Sequence, residues 1–199
     1  MMRTYTILPK TGEWKDIPAA PIDTRLWTPE VNISATAQVC YDADALYLRL
    51  AAKEKDIRAE ENGPLGMPCQ DSCLEFFFSP MEEDPRYFNF EFNPVKCMFL
   101  GLGSCRYDSV RLLPSAAEEL FNPCPVLTEN GWEITYRIPY SFINLFFKDF
   151  AVAPGKKMRG NFYKCGDFTA REHYFAWNPV NNPTPDFHRP EFFGELIFG

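Results

Sequence analysis

Two carboxylates, three amides and an arginine recur at every second position of apolar segments. They are Glu75 in S-C-L-E-F-F-F-S, then Asn89, Glu91 and Asn93 in Y-F-N-F-E-F-N-P, and finally Arg159 and Asn161 in R-G-N-F-Y. Such groups make planar, often bidentate hydrogen bonds and stack well on flat ligands. Two chemistries follow. Carboxylate and amide acceptors beside Arg and amide donors suit the vicinal hydroxyls of a sugar, with aromatic rings covering its C–H faces. Alternatively, Glu75 and Glu91 on neighbouring strands would be the acid and the nucleophile or base of a glycosidase. No Ser/His/Asp order, zinc spacing or Gly-rich phosphate loop accompanies them. The plainest alternative is a solvated sheet face whose Arg and Glu side chains form cross-strand ion pairs.

The stretch Gln70 to Pro94 sets that spacing. Leu74, Phe76 and Phe78 alternate with Asp71, Cys73, Glu75 and Phe77; Phe88, Phe90 and Phe92 alternate with Tyr87, Asn89, Glu91 and Asn93. Period-two alternation predicts two half-buried strands, and the M-E-E-D-P between them predicts a hairpin connection. The same pattern runs through Val31–Cys40, Leu46–Leu50, Trp132–Ile138, Arg159–Cys165, Tyr174–Trp177 and Phe192–Phe198. Tyr41 to Asp44 reads as a turn joining the first two of these. Residues 4–29 read as an irregular entry strand with loops. Ser115–Leu120 reads as a short helix with Ser115 as its N-cap, and Tyr140–Phe147 as one or two helical turns. Asn178 to Pro190 holds four prolines and reads as a long loop. Many short strands with scarcely any helix predict an all-β fold. The expected form is an antiparallel β-sandwich, jelly-roll-like with immunoglobulin-like layering, one or two short helices, and a single domain over residues 1–199. If every strand turns its apolar side inward, Tyr47, Arg49, Glu133, Thr135, Arg137 and Tyr163 join the first-named residues on a polar wall without Lys.

Composition narrows the partners. The 199 residues are 46% hydrophobic and 16% aromatic, enough for a sizeable core, and carry a net charge of −7. That charge disfavours nucleic acid, whose phosphates need a basic surface. No stretch approaches the length of a membrane span, and no basic run suits an anionic membrane. The seven cysteines are odd in number and lack a paired C-x-x-C spacing, which predicts free thiols in a reducing compartment. With no apolar core in Met1–Ile17 to act as a leader, the expectation is a cytoplasmic protein; an extracellular one would need a leader removed. Asp42 and Asp44 offer calcium-type oxygens but read as turn formers. His173 and His188 lack the axial partner that haem would require. Hence no cofactor is expected, calcium is left unassigned, and the oligomeric state is open.

From about Thr36 to Phe198 the chain resembles the family 9 carbohydrate-binding modules and their DOMON-like relatives. The carrying stretches are A-Q-V-C-Y-D-A-D-A-L-Y-L-R-L (37–50), K-D-I-R-A (55–59), D-S-C-L-E-F-F-F-S-P (71–80), Y-F-N-F-E-F-N-P (87–94), G-W-E-I-T-Y-R-I-P (131–139), R-G-N-F-Y-K-C-G-D (159–167), and F-A-W-N-P-V with F-H-R-P-E-F-F-G-E-L-I-F (175–198). The resemblance implies a β-sandwich that binds the reducing end of a saccharide without catalysis, gripping the ring between two tryptophans. It implies Trp177 as one stacking platform, Glu75, Asn89, Glu91, Arg159 and Asn161 as hydroxyl readers, and His188 as a further site residue. No second clamp tryptophan stands between Ala59 and Gln70, leaving Phe77, Tyr87 or Tyr163 as substitutes. A glycosidase using Glu75 and Glu91, or an interaction domain with a decayed sugar site, are the alternatives.

Overall fold

The structure is a computed structural model and describes residues 1–199. Its strands run in the order β1 (Thr4–Pro9), β2 (Ala20–Ile22), β3 (Thr24–Leu26), β4 (Ser34–Tyr41), β5 (Ala45–Lys53), β6 (Cys73–Ser79), β7 (Tyr87–Phe92), β8 (Met98–Gly103) and β9 (Val110–Arg111). Helix α1 (Ala117–Phe121), β10 (Cys124–Thr128), β11 (Gly131–Pro139), helix α2 (Tyr140–Ile143), β12 (Lys157–Gly166), β13 (His173–Ala176) and β14 (Gly194–Phe198) complete the chain. The expected all-β fold with two short helices is present. Ser115 does not cap α1, which begins at Ala117 after Ala116 with no side-chain cap.

One curled sheet supplies both layers, in the order β10-β11-β5-β4-β1-β14-β12-β6-β7-β8-β9. The fold-over point is β1, in the segment the sequence reading treats as irregular. Thr4 to Ile7 pair in parallel with Glu195 to Phe198, while Leu8 and Pro9 pair in parallel with Cys40 and Tyr41. The sheet is therefore mixed at its corner, while the interior pairings of each layer are antiparallel. The predicted 73–79/87–92 hairpin forms with Glu75 directly opposite Glu91 and Phe76 opposite Phe90.

The apolar sides of the two layers meet as predicted. Leu74, Phe76, Phe78, Phe88, Phe90 and Phe92 face Leu46, Leu48, Leu50, Ile134 and Ile138 in one continuous buried cluster. Phe76 stacks on Phe78 and on Phe162 at centroid distances of 4.8 and 5.0 Å.

The outward sides do not form a single wall. Tyr47, Arg49, Glu133, Thr135 and Arg137 belong to β5 and β11, in the opposite layer from β6, β7 and β12. There Arg49 pairs with Glu133, and Arg137 donates to the Glu119 and Leu120 carbonyls. That face is the ion-paired sheet surface of the plainest alternative. The outer face of the β12–β6–β7 layer is instead covered. A second buried cluster of Cys73, Phe77, Tyr87, Tyr163, Cys165, Ala176, Val180, Phe187 and Phe193 packs the proline-rich 178–190 loop and the turn after it onto that face.

Candidate functional site

The covered face leaves one cleft, of about 350 Å³, with a carboxylate floor and aromatic flanks. Strand order places β3, β13, β12, β6, β7 and β8 side by side across it. In register, Tyr163, Glu75, Glu91 and Phe99 form one cross-strand row, and Tyr174, Cys165 and Cys73 form the next. Trp27, immediately after β3, lines one end and Phe99 on β8 lines the other. Arg106 and Ser109 from the β8–β9 loop, Asp167 after β12, and Asp186 and His188 from the proline-rich loop complete the polar lining.

Glu75 is 2% exposed and Glu91 6% exposed. Glu91 accepts from Asn89 Nδ2 at 2.8 Å, and Glu75 accepts from the Cys165 thiol at 2.9 Å. Neither meets a cation, so each keeps lone pairs free for a ligand in the cleft. Burial, reinforced by the Glu91 charge, raises the Glu75 carboxyl well above its usual range. Burial pushes Glu91 up to about 7, despite the opposing donation from Asn89. Near neutrality such a pair can donate as well as accept hydrogen bonds. Asn89 is fully buried and acts by aiming Glu91. Gly101, its cross-strand partner, makes room for it: a Cβ there would lie 2.1 Å from Asn89 Oδ1.

The loop side of the cleft is held by hydrogen bonds. His188 Nδ1 meets the Tyr87 hydroxyl at 2.8 Å, and the His188 amide donates to Asp186. Arg106 pairs with the same Asp186 at 2.9 Å, which keeps its guanidinium at the rim. Burial, with the nearby Arg106 charge, lowers His188 to about 4, so the ring is neutral.

Of the sequence-predicted residues, Glu75, Glu91 and His188 line this cleft, and Asn89 supports it. Three do not reach it. Trp177 faces the main core at 3% exposure, packs against Phe162 and leaves no space for a Cβ on Gly194. It follows β13, whose alternation puts Phe175 and Trp177 together on the inner face. Arg159 donates to the Phe193 carbonyl at 2.7 Å and the Glu191 carbonyl at 3.3 Å. Asn161 is fully buried and bridges to Asn178 through Asn161 Nδ2 to the Asn178 carbonyl and the Asn178 amide to Asn161 Oδ1, each at 2.8 Å. Arg159 and Asn161 fasten the two ends of the segment that carries Asp186 and His188, so their outward direction is used for positioning.

Two further carboxylates serve the fold. Asp71 does not reach the cleft; it closes the short 68–70 turn, its amide donating to the Pro68 carbonyl, and its side chain pairs with Arg58 and accepts from the Glu61 amide and Asn93 Nδ2. Asp42 accepts from the Asp44 and Ala45 amides, as a turn former does. Residues the sequence reading missed include Trp27, Phe99, Arg106, Asp167 and Asp186. Trp27 carried one usable signal, a tryptophan beside Thr28-Pro29 in a polar loop. In the structure it has φ 55, and its indole nitrogen donates to the Asn182 carbonyl at 2.6 Å.

A model of carbohydrate-binding family 9 matches residues 7–198. No match was found among curated protein sequences. Among solved structures, a candidate carbohydrate-binding protein from Bacteroides uniformis ATCC 8492 is 24% identical, with 100% of each chain covered and a TM-score of 0.82. A family 9 carbohydrate-binding module from Caldicellulosiruptor kristjanssonii in complex with glucose is 13% identical over 99% of this chain and 96% of that one, with a TM-score of 0.69. The same organism's module in complex with cellotriose is 12% identical over 98% and 93%, with a TM-score of 0.66. At these identities the likeness is one of fold.

Proposed function

This chain belongs to carbohydrate-binding family 9, and from that membership and the cleft we propose that it binds a saccharide without chemically altering it. The observation that carries the reading is the Glu75–Glu91 pair, buried without a cation at the floor of a cleft flanked by Trp27 and Phe99. Sugar hydroxyls supply the missing hydrogen-bond partners, and the ring's C–H faces supply the apolar contact that Trp27 and Phe99 want. Arg106, Asp167, Asp186 and His188 would read the remaining hydroxyls. Glucose and cellotriose, bound by the two structural neighbours, set the ligand class to try first.

The carboxylate pair also bears on catalysis. A glycosidase places its two carboxyls on either side of the scissile bond. Glu75 and Glu91 stand side by side on directly paired strand positions, where Cβ atoms lie about 4.5–5.5 Å apart. Both therefore meet a ring seated in the cleft from the same side, which favours recognition over bond cleavage. The reducing-end preference and the cytoplasmic location belong to the same proposal; the seven free thiols are consistent with a reducing compartment. No helix is long and apolar enough to cross a membrane.

Isothermal calorimetry with glucose, cellobiose and cellotriose, each beside its reduced alditol, tests this reading. The expected result is heat with the sugars and none with the alditols. Trp27→Ala and Glu91→Gln should each weaken binding about tenfold or more, corresponding to ~1.4 kcal/mol. Binding that both variants leave intact, or release of product from chromogenic glycosides, would overturn it.

A further inference from the structure

We propose that Cys73, Cys165 and Glu75 form a site for a thiophilic divalent cation, zinc above all, in the floor of the cleft. Cys73 and Cys165 are direct cross-strand partners on β6 and β12, and Glu75 lies two residues along β6 on the same face. The two sulfurs and a carboxylate oxygen all fall within 4.8 Å of one another. In a tetrahedral zinc site, bonds of about 2.3 Å to sulfur and 2.0–2.2 Å to oxygen put neighbouring ligand atoms ~3.5–3.8 Å apart. Small side-chain rotations bring this cluster to that spacing, since two paired strands already aim it at one point.

The chemistry of the donors agrees. Two thiols with one carboxylate favour zinc over calcium or magnesium, which take all-oxygen sets. Glu75 is a buried carboxyl that meets no Arg or Lys, and its nearest polar contact is the Cys165 thiol. A dication would displace the two thiol protons and any carboxyl proton to solvent; no oxidant or reductant is needed. Glu75 and Cys165 line the cleft, which supplies the route in. Cys69 lines the same wall, and its carbonyl accepts from the Cys165 thiol at 3.7 Å. A water, or the Cys69 thiol, would complete the tetrahedron on the open side. The site stands on this cluster alone, whether or not a saccharide occupies the cleft.

The test is an optical titration of the reduced, chelator-treated full chain with Co²⁺, followed by competition with Zn²⁺. The expected result is one equivalent of Co²⁺, with a sulfur-to-cobalt charge-transfer band and the visible bands of tetrahedral cobalt, both abolished by zinc. Cys165→Ser and Cys73→Ser should each weaken binding about tenfold or more, while Cys124→Ser, at an exposed thiol, should not. If one serine variant loses its far-ultraviolet circular dichroism, the other and Glu75→Gln carry the comparison. Absence of a charge-transfer band, or a band unchanged in the folded Cys73, Cys165 and Glu75 variants, overturns the proposal.

Discussion

Trp27 and Trp177 show at the scale of single residues how one side-chain type divides between recognition and packing. Trp27 stays partly exposed at the cleft, edge-on to Tyr174 and tilted against Phe187, with centroids 5.6 Å away in each case. Trp177 has no open face left, enclosed by Phe162 and by the backbone at Gly194. Truncating it therefore empties core volume. We expect Trp177→Ala to cost about 3–5 kcal/mol of stability, read as a lowered urea midpoint. Sugar affinity of the fraction that remains folded should be unchanged. A Trp177→Ala protein of full stability that no longer binds sugar would restore the platform role implied by the family resemblance. Alternation along 173–177 is legible in the sequence, but an alternating Phe and Trp fit an inner face and an aromatic outer face equally well. Which face Trp177 takes depends on the pairing of β13 with β12 and β3.

Among the elements, β1 lies in the expected entry strand, but its pairing is announced by no local signal. It is six residues long and pairs in parallel on both sides, joining the two layers at one edge. The Tyr5 side chain reinforces the joint. Its buried hydroxyl accepts from the Val39 amide at 3.0 Å and donates to the Pro18 carbonyl at 2.7 Å. Tyr5→Phe leaves that amide without a partner and should destabilise the fold by about 1–3 kcal/mol. Chemical denaturation measures this, and a variant as stable as the parent would show that the joint is held by its backbone pairs alone. The central hairpin behaves in the opposite way. Its alternation predicts faces and pairing together, because a slip by one residue would carry three Phe side chains out of the core. The 178–190 loop is predicted as a loop, yet its docking is not. That docking needs Arg159, Asn161 and Tyr163 from a strand remote in sequence; the Tyr163 ring stacks on Phe187 at 4.0 Å.

For the molecule as a whole, buried histidines and buried carboxyls push the response to acid in opposite directions. His173 is lowered to about 4 by burial and by the neighbouring Lys164, whose ammonium lies 2.7 Å from its Nε2. His188 is likewise lowered to about 4. In the unfolded chain both titrate near 6.5, so between 6.5 and about 4 these two groups bind more protons in the unfolded state than in the folded one. Their contribution is thus full above pH 6.5 and falls as the pH drops through that window, by up to about 1.4 kcal/mol per pH unit for each group, whereas Glu75 and Glu91, raised by burial, hold their protons in the folded state and add stability as the pH drops toward the ordinary carboxylate range. Melting temperatures from pH 7 to 4 read the balance, and His188→Gln should remove one histidine's share, so that the variant loses less stability, or gains more, than the parent over that range. An unchanged slope would mean that His188 titrates freely in the folded protein.

What the sequence by itself determined is the sheet architecture and the core. Period-two runs dictate strands, Phe-rich faces dictate which side is buried, and the two carboxylates follow on the other side of the same strands. The interior cation was not legible: Lys164 falls at an inward position of β12, fully buried, donating to the Cys165 carbonyl at 2.8 Å and paired with Glu54 at 3.2 Å. Nor was the composition of the site. Period two states only that residues leave the sheet on the side away from the core. Whether that side meets solvent, a partner layer or a loop of the same chain is a long-range matter. Here the curl of one sheet about β1 sent half of the expected polar wall to the far layer. The proline-rich loop then roofed the other half, turning a surface into a cleft. Trp27, Arg106, Asp186 and His188 come from three separate loops, and only the tertiary structure decided that they meet Glu75 and Glu91, because loop side chains have no period that fixes their direction.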